Sequence, residues 1–314
     1  MEITFEKAFD IFNYPFFKLL RIAHDVHVQN FDEQSVQISD ILSVKTGGCS
    51  EDCAYCAQSA KTGAKMLKQP MLNPEVVLEA ARRAKERGAS RFCMSTSGPC
   101  LSSDDEFEKI CGIVRSVKAL GLETCVTLGF LTETQAVKLK ESGLDYYNHN
   151  VDTSPEFYHN IISTRTIHDR IRTVEIVQKV GINVCSGGIV GMGETNEDRI
   201  KMLVLLANLI IPPRCVPINK LVKIPGTRVD DSKPIDDFDF VRIIALARIL
   251  MPKSYVKIAA GRNTLSESIQ ALCIFAGANA FFSSEKLLTV DNIKDNADSQ
   301  LFRKLNLKIE DPQL

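Results

Sequence analysis

A parallel α/β barrel of the (βα)8 type is the fold class this 314-residue sequence predicts, and three observations predict it. Short β-branched runs alternate with amphipathic helical stretches. The helical stretches repeatedly stop at a glycine a few residues before the next strand. Eight such strands and seven crossover helices can be read along the chain. An open doubly wound sheet fits that count less well. The expectation is a single (βα)8 TIM-type barrel over residues 36–290, an N-terminal helical extension over 1–35 and a C-terminal tail over 291–314.

The strands fall at 36–44, 91–96, 124–128, 145–150, 183–187, 216–222, 255–259 and 280–283, each bounded by Gly, Pro or polar residues. The helices between them carry their own punctuation. Asn73-Pro74-Glu75 caps the first and Gly88 stops it, and Ser103 to Glu106 opens a second that runs to Gly121. Thr132 and Gln135 form a capping-box pattern for a helix that ends at Gly143. Helices over 166–181, 195–209, 236–251 and 266–277 complete the set. In a barrel of this kind the chemistry sits at the C-terminal ends of the strands.

With 38 basic and 39 acidic side chains, the chain has a net charge of −1, which argues against a nucleic-acid-binding surface. The N-terminal Met1-Glu2-Ile3-Thr4-Phe5-Glu6-Lys7 has no apolar core of a secretory signal. The longest apolar segment, 202–211, is interrupted by Asn208 and too short to span a bilayer, so no membrane association is expected. A cytoplasmic, reducing setting follows. There the ten cysteines are better read as metal ligands or free thiols than as disulfides.

Three of them, Cys49, Cys53 and Cys56, stand in a C-x3-C-x2-C loop directly after the first strand, behind Gly47-Gly48. Three thiolates can grip one face of a metal cluster and leave one metal position open, whereas a structural zinc site wants four closed ligands. A zinc site completed by a distant Cys or His is the competing reading. The loop resembles the signature of the radical S-adenosylmethionine superfamily. That resemblance implies a [4Fe–4S] cluster on Cys49, Cys53 and Cys56, with its fourth iron free for S-adenosyl-L-methionine.

The fuller strings 49–59, 146–154, 184–194 and 216–219 resemble the sulfur-inserting branch of that superfamily over about residues 5–307. Cys93, Cys125 and Cys185 lie on the second, third and fifth strands, where any one alone would be a small buried hydrophobe. The resemblance implies that together they hold a [2Fe–2S] cluster. The branch places an arginine as fourth ligand on the seventh strand, and the matching residue here is Lys257. One amine does not replace a planar fork. Either a desolvated Lys257 loses its proton and ligates, or it only shields the cluster. Cys100, Cys111, Cys215 and Cys273 are assigned to packing in helices or loops.

Asn148, Asn150 and Asp152 alternate along the fourth strand and its end and should project to one face. Buried there, they need either a ligand or an internal network. The resemblance adds Asn219. It implies substrate contacts at Asn148, Asn150 and Asn219, and S-adenosylmethionine contacts at Tyr55, Asn150, Asp152, Arg170 and Ile189. Arg170 alone would read as a helix-surface charge, and Arg91 as a group beside Cys93 or at a strand end. The glycine-rich 187–194 lacks the G-x-G-x-x-G order of a dinucleotide site, and backbone contact with the adenosyl group is its better use. His149 is expected to be a structural imidazole.

The resemblance implies dethiobiotin as substrate, an electron-donor protein such as a flavodoxin or ferredoxin, and a homodimer. It also implies radical chemistry at saturated carbon, which no general base can activate. Another radical enzyme on the same barrel, or a zinc-binding regulatory module, are the rival readings.

Overall fold

The computed structural model describes residues 2–64, 66–284, 286–292 and 295–311, so residues 293, 294 and 312–314 of the expected tail lie outside it. Eight parallel staves close into a barrel. They are β1 (Ser35–Lys45), β2 (Arg91–Thr96), β3 (Glu123–Thr127), β4 (Tyr146–Asn148), a stave made of β5 (Asn183–Cys185) and β6 (Gly188–Val190), β7 (Cys215–Lys220), β8 (Tyr255–Ile258) and β9 (Ala280–Phe282). Pairing of Gln37, Ile38 and Ser39 with Ala280, Phe281 and Phe282 joins the first stave to the last.

Helices α1 (Phe5–Phe12) and α2 (Phe16–Val28) precede the barrel. Its outer layer is built from α3 (Pro74–Glu86), α4 (Asp104–Ala119), α5 (Glu133–Glu141), α6 (Tyr158–Ile161), α7 (Ile167–Lys179), α8 (Asn196–Ala207), α9 (Asp237–Leu250) and α10 (Glu267–Phe275). The capping box expected at Thr132 is present, and Thr166 and Thr195 make the same reciprocal bonds with Asp169 and Asp198. Asn73 occupies the expected cap position of α3, but its side chain makes no capping hydrogen bond.

The fifth strand departs from the sequence reading. Instead of running unbroken over 183–187, it stops at Cys185 and resumes at Gly188, and both halves lie along β7. Crowding accounts for the glycines at the break, because a Cβ on Gly187 would stand 1.9 Å from the carbonyl oxygen of Pro217. The residues after 290 also return to the barrel. Helix α11 (Asp295–Lys304) leads to β10 (Lys308–Ile309), which extends the sheet beside the start of β1.

The apolar core lies between the staves and the helices. Inside the staves the lining is different. A second buried cluster consists of Cys93, Cys125, Cys185, Cys215, Tyr146, Tyr255 and Ala280. Barrels of this class usually fill that space with Val, Ile and Leu. Helices α1 and α2 pack on α8 and α9, and the segment after α2 carries Phe31 onto Tyr255, with Arg248 lying over Phe31.

Candidate active site

The loop after β1 enters the mouth of the barrel through Gly47 and Gly48, both with left-handed backbone, φ +73° and +69°. A Cβ on Gly47 would come within 2.8 Å of the Leu67 carbonyl oxygen, so the chain can turn there only as glycine. Backbone bonds from Cys49 N–H to Gln58 O (2.9 Å) and from Ala60 N–H to Cys49 O (2.7 Å) then fold the loop back on itself. Cys56 N–H donates to Cys53 O at 3.0 Å, closing the tight turn that carries the last two thiols.

Asp52 pins this loop to the segment before α7. Its carboxylate accepts from the N–H groups of Ser163 (3.0 Å) and Thr164 (3.2 Å). Burial works against ionisation of Asp52, but the hydrogen bonds from Ser163 and Thr164 hold it well below the usual carboxylate range. Burial pushes the thiols of Cys49, Cys53 and Cys56 up. The protein alone therefore does little to ionise them, and a bound positive metal centre is what would.

All three thiols open onto a cavity of about 310 Å³ at the C-terminal ends of the strands, and so do Cys93, Cys125, Cys185 and Lys257 lower in the barrel. The two cysteine sets thus share one chamber, of a size suited to a small ligand. Among the described residues no group of three or more His, Cys, Asp or Glu side chains is arranged to hold a single metal ion.

The fourth strand ends at Asn148, earlier than expected, yet Asn148, Asn150 and Asp152 all reach the cavity. Asp152 does so from a left-handed backbone, φ +69°, rather than by strand alternation. The backbone N–H of Ile189 fixes it by donating to Asp152 O at 2.8 Å. Ile189 itself pairs with Asn219 in the sheet register but is not among the cavity-lining residues.

Arg170 turns inward from α7. Its guanidinium meets the Asp152 carboxylate at 2.8 Å and donates to Asn150 O at 2.9 Å and to the Tyr158 hydroxyl at 2.7 Å. Burial raises the Asp152 carboxyl, and Arg170 and the Tyr55 hydroxyl oppose that rise. His149, edge-on to Phe130 at 5.2 Å, is held well below its ordinary value by burial and by Arg170, so it is a neutral imidazole.

The amides form a network. Asn148 donates to Asn150 Oδ1 and to Cys185 O, each at 3.2 Å, and accepts from Thr127 Oγ1 at 3.1 Å. Asn219 donates to Gly188 O at 3.0 Å and accepts from Ala260 N–H at 3.1 Å. Their polar atoms are oriented before any ligand arrives.

Arg91 is neither a surface group nor at the mouth. It is buried, ion-paired to Glu123 through Nε and Nη2 at 2.9 and 2.8 Å, and lies 3.5 Å over the Tyr146 ring. Lys257 Nζ donates to Ser39 Oγ at 2.6 Å and sits over Phe282.

Sequence reasoning missed two groups here, Glu123 and Cys215. Glu123 is two residues before Cys125 on the same strand, a spacing that would have placed it inward. Cys215 is a correction. It is not in a helix or loop, since β7 begins with it and it is fully buried among the barrel cysteines. Cys111 and Cys273 are buried on α4 and α10 as expected of packing residues.

Comparison with known proteins gives the family of the chain. Residues 43–207 match the Radical SAM superfamily and residues 217–308 match the Biotin and Thiamin Synthesis associated domain. The chain belongs to the radical SAM superfamily, whose members use an iron–sulfur cluster and S-adenosylmethionine. Biotin synthase from Rickettsia felis is 51% identical over 306 residues, covering 97% of this chain and 98% of its relative. Biotin synthase from Neorickettsia sennetsu is 52% identical over 305 residues, covering 96% and 93%. Within the superfamily, the chain is a member of the biotin synthase family. Among solved structures, methylornithine synthase superimposes with a TM-score of 0.82 at 16% identity, over 99% of this chain and 95% of that one. The FeFe-hydrogenase maturase from Carboxydothermus hydrogenoformans gives 0.83 at 17% identity, over 98% and 76%. These two share its fold.

Proposed function

We propose that this chain forms biotin by radical insertion of sulfur into dethiobiotin. One observation carries the reading: in a chain of the biotin synthase family, the loop thiols and the barrel thiols line the same chamber. The donor set fits two iron–sulfur centres, with Cys49, Cys53 and Cys56 as ligands of a [4Fe–4S] cluster and Cys93, Cys125 and Cys185 as ligands of a [2Fe–2S] cluster. When bound, the first supplies the electron that cleaves S-adenosylmethionine to methionine and a 5′-deoxyadenosyl radical, and the second supplies sulfide.

The chain's own residues bind, orient and exclude water. Arg170, held by Asp152 and by the Asn150 carbonyl, presents a guanidinium suited to the S-adenosylmethionine carboxylate. Tyr55 closes over the same corner through its contact with Asp152. Ile189 supports it through the backbone bond to Asp152. Asn148, Asn150 and Asn219, fixed by their network, offer amides to the polar ring of dethiobiotin. The barrel wall keeps water and stray hydrogen donors from a radical. Neutral His149 neither adds charge nor donates as a cation.

The family's fourth-ligand position is occupied by Lys257. We also assign an electron-donor protein of the flavodoxin or ferredoxin type, a homodimer and a cytoplasmic setting. Among the described residues no helix is long and apolar enough to cross a membrane. Anaerobically reconstituted protein, given dethiobiotin, S-adenosylmethionine and a reductant, should yield biotin by mass. Cleavage of S-adenosylmethionine without biotin would assign the chain to a different radical reaction.

A further inference from the structure

The barrel holds four buried cysteines where the family pattern calls for three, and a lysine where it calls for an arginine. Cys93 on β2 is the register partner of Cys125 on β3, and Cys185 on β5 is the register partner of Cys215 on β7. Within each pair the thiols are in side-chain hydrogen-bonding reach. All four belong to one buried cluster, separate from the aliphatic core. Two cysteine pairs are the donor pattern of a fully thiolate-ligated [2Fe–2S] centre, in which each iron takes two sulfurs from protein.

Lys257 is placed for a different task. It stands one inward step further along the barrel, opposite Pro217, whereas Cys215 is opposite Tyr255. Its amine is engaged by the Ser39 hydroxyl at 2.6 Å and lies 4.2 Å from the centre of the Phe282 ring. Among the described residues its side chain has no carboxylate partner within ion-pair distance, so a full positive charge there needs an anion from elsewhere.

We propose that Cys215 is the fourth ligand of the second centre, with Cys93 and Cys125 on one iron and Cys185 and Cys215 on the other, and that Lys257 is its counter-cation. This rests on the two-cluster reading above. Two ferric irons, two sulfides and four thiolates leave a dianionic centre. Arg91 is already paired with Glu123, so the positive charge set against that centre comes from the Lys257 side chain, which offsets it without ligating. The arginine-to-lysine departure then has a physical account. Once a thiol on the neighbouring strand fills the coordination position, the group on β8 needs charge but not a ligating fork.

The test uses full-length protein, anaerobically reconstituted with the Mössbauer isotope of iron and carrying lysine labelled with heavy nitrogen. Its readouts are spectra rather than turnover. Four-thiolate ligation gives the two irons of the second centre matching Mössbauer parameters, and no lysine-nitrogen hyperfine coupling after one-electron reduction. Cys215→Ser should shift the charge-transfer bands of the second centre and make its irons inequivalent, with the first centre's signals and the thermal midpoint as controls. Lys257→Ala should leave the Mössbauer parameters of the second centre unchanged. Lysine-nitrogen coupling in the unsubstituted protein, or a Cys215→Ser spectrum identical to it, overturns the ligand assignment and leaves the two-cluster reading standing. Absence of any second centre in the unsubstituted protein overturns that reading and this assignment together.

Discussion

Replacing Arg170 with leucine removes three contacts at once: the ion pair to Asp152 at 2.8 Å, the bond to Asn150 O at 2.9 Å and the bond to the Tyr158 hydroxyl at 2.7 Å. The largest consequence is an uncompensated carboxylate at a buried site. Breaking a buried pair from one side costs about 3–5 kcal/mol. Asp152 limits the loss by taking up a proton, because burial already raises its pKa and Arg170 is the main force opposing that rise. In the Arg170→Leu protein the folded-state pKa of Asp152 climbs further above its unfolded value. The folded state then holds a proton that the unfolded state has lost, so stability falls as pH rises through that folded-state pKa.

The expected destabilisation is therefore about 3 kcal/mol at pH 8 and smaller near pH 5. Adding Asp152→Asn should recover about 1–2 kcal/mol of it, since no charge is then stranded. Urea unfolding of the four proteins of this cycle, each prepared without oxygen and read at both pH values, measures these terms. A cost below about 1 kcal/mol, with no pH dependence and no coupling to Asp152, would refute the argument that the pair organises the mouth of the barrel.

Cys53→Ser should abolish S-adenosylmethionine cleavage, while Cys125→Ser should permit cleavage and stop sulfur insertion. Methionine and biotin assayed on the same samples separate the two effects. His27 is lowered to about 4 by burial and by Arg248, so it is neutral in the fold. Its contribution is present above the unfolded value near 6.5 and is lost as pH falls from there through 4. A His27→Phe protein should show a flatter fall in thermal midpoint over that window. Gly187→Ala places a methyl 1.9 Å from Pro217 O and should cost about 3 kcal/mol or more, seen as a lowered urea midpoint.

Features set by neighbours in the chain were legible in the sequence. The capping box at Thr132 and the helix starts at Thr166 and Thr195 lie within a single turn, and the loop cysteines are defined by their spacing alone. The barrel class was legible because its repeating unit is local. Features set by pairing between strands were less so. Cys215 follows Pro212-Pro213-Arg214, which reads as loop, and its register with Cys185 on one side and Tyr255 on the other makes it a strand residue. The break in the fifth strand depends on how closely Gly187 approaches Pro217, a contact across 30 positions of the chain. Arg91 was left open because its partner, Glu123, comes from the neighbouring strand. The polar face after β4 was foreseen with the right residues but the wrong backbone. Asp152 reaches the cavity through a left-handed turn that residue alternation does not describe.

The proposed chemistry requires a single barrel chamber to serve two different iron–sulfur centres. A Mössbauer spectrum of anaerobically loaded protein, with iron and acid-labile sulfide measured on the same sample, tests it most directly. About six irons and six sulfides per chain are expected, divided two to one between cube-type and binuclear components. A sample saturated with iron that shows one type of centre only, or protein that takes up zinc and retains no sulfide, would contradict it.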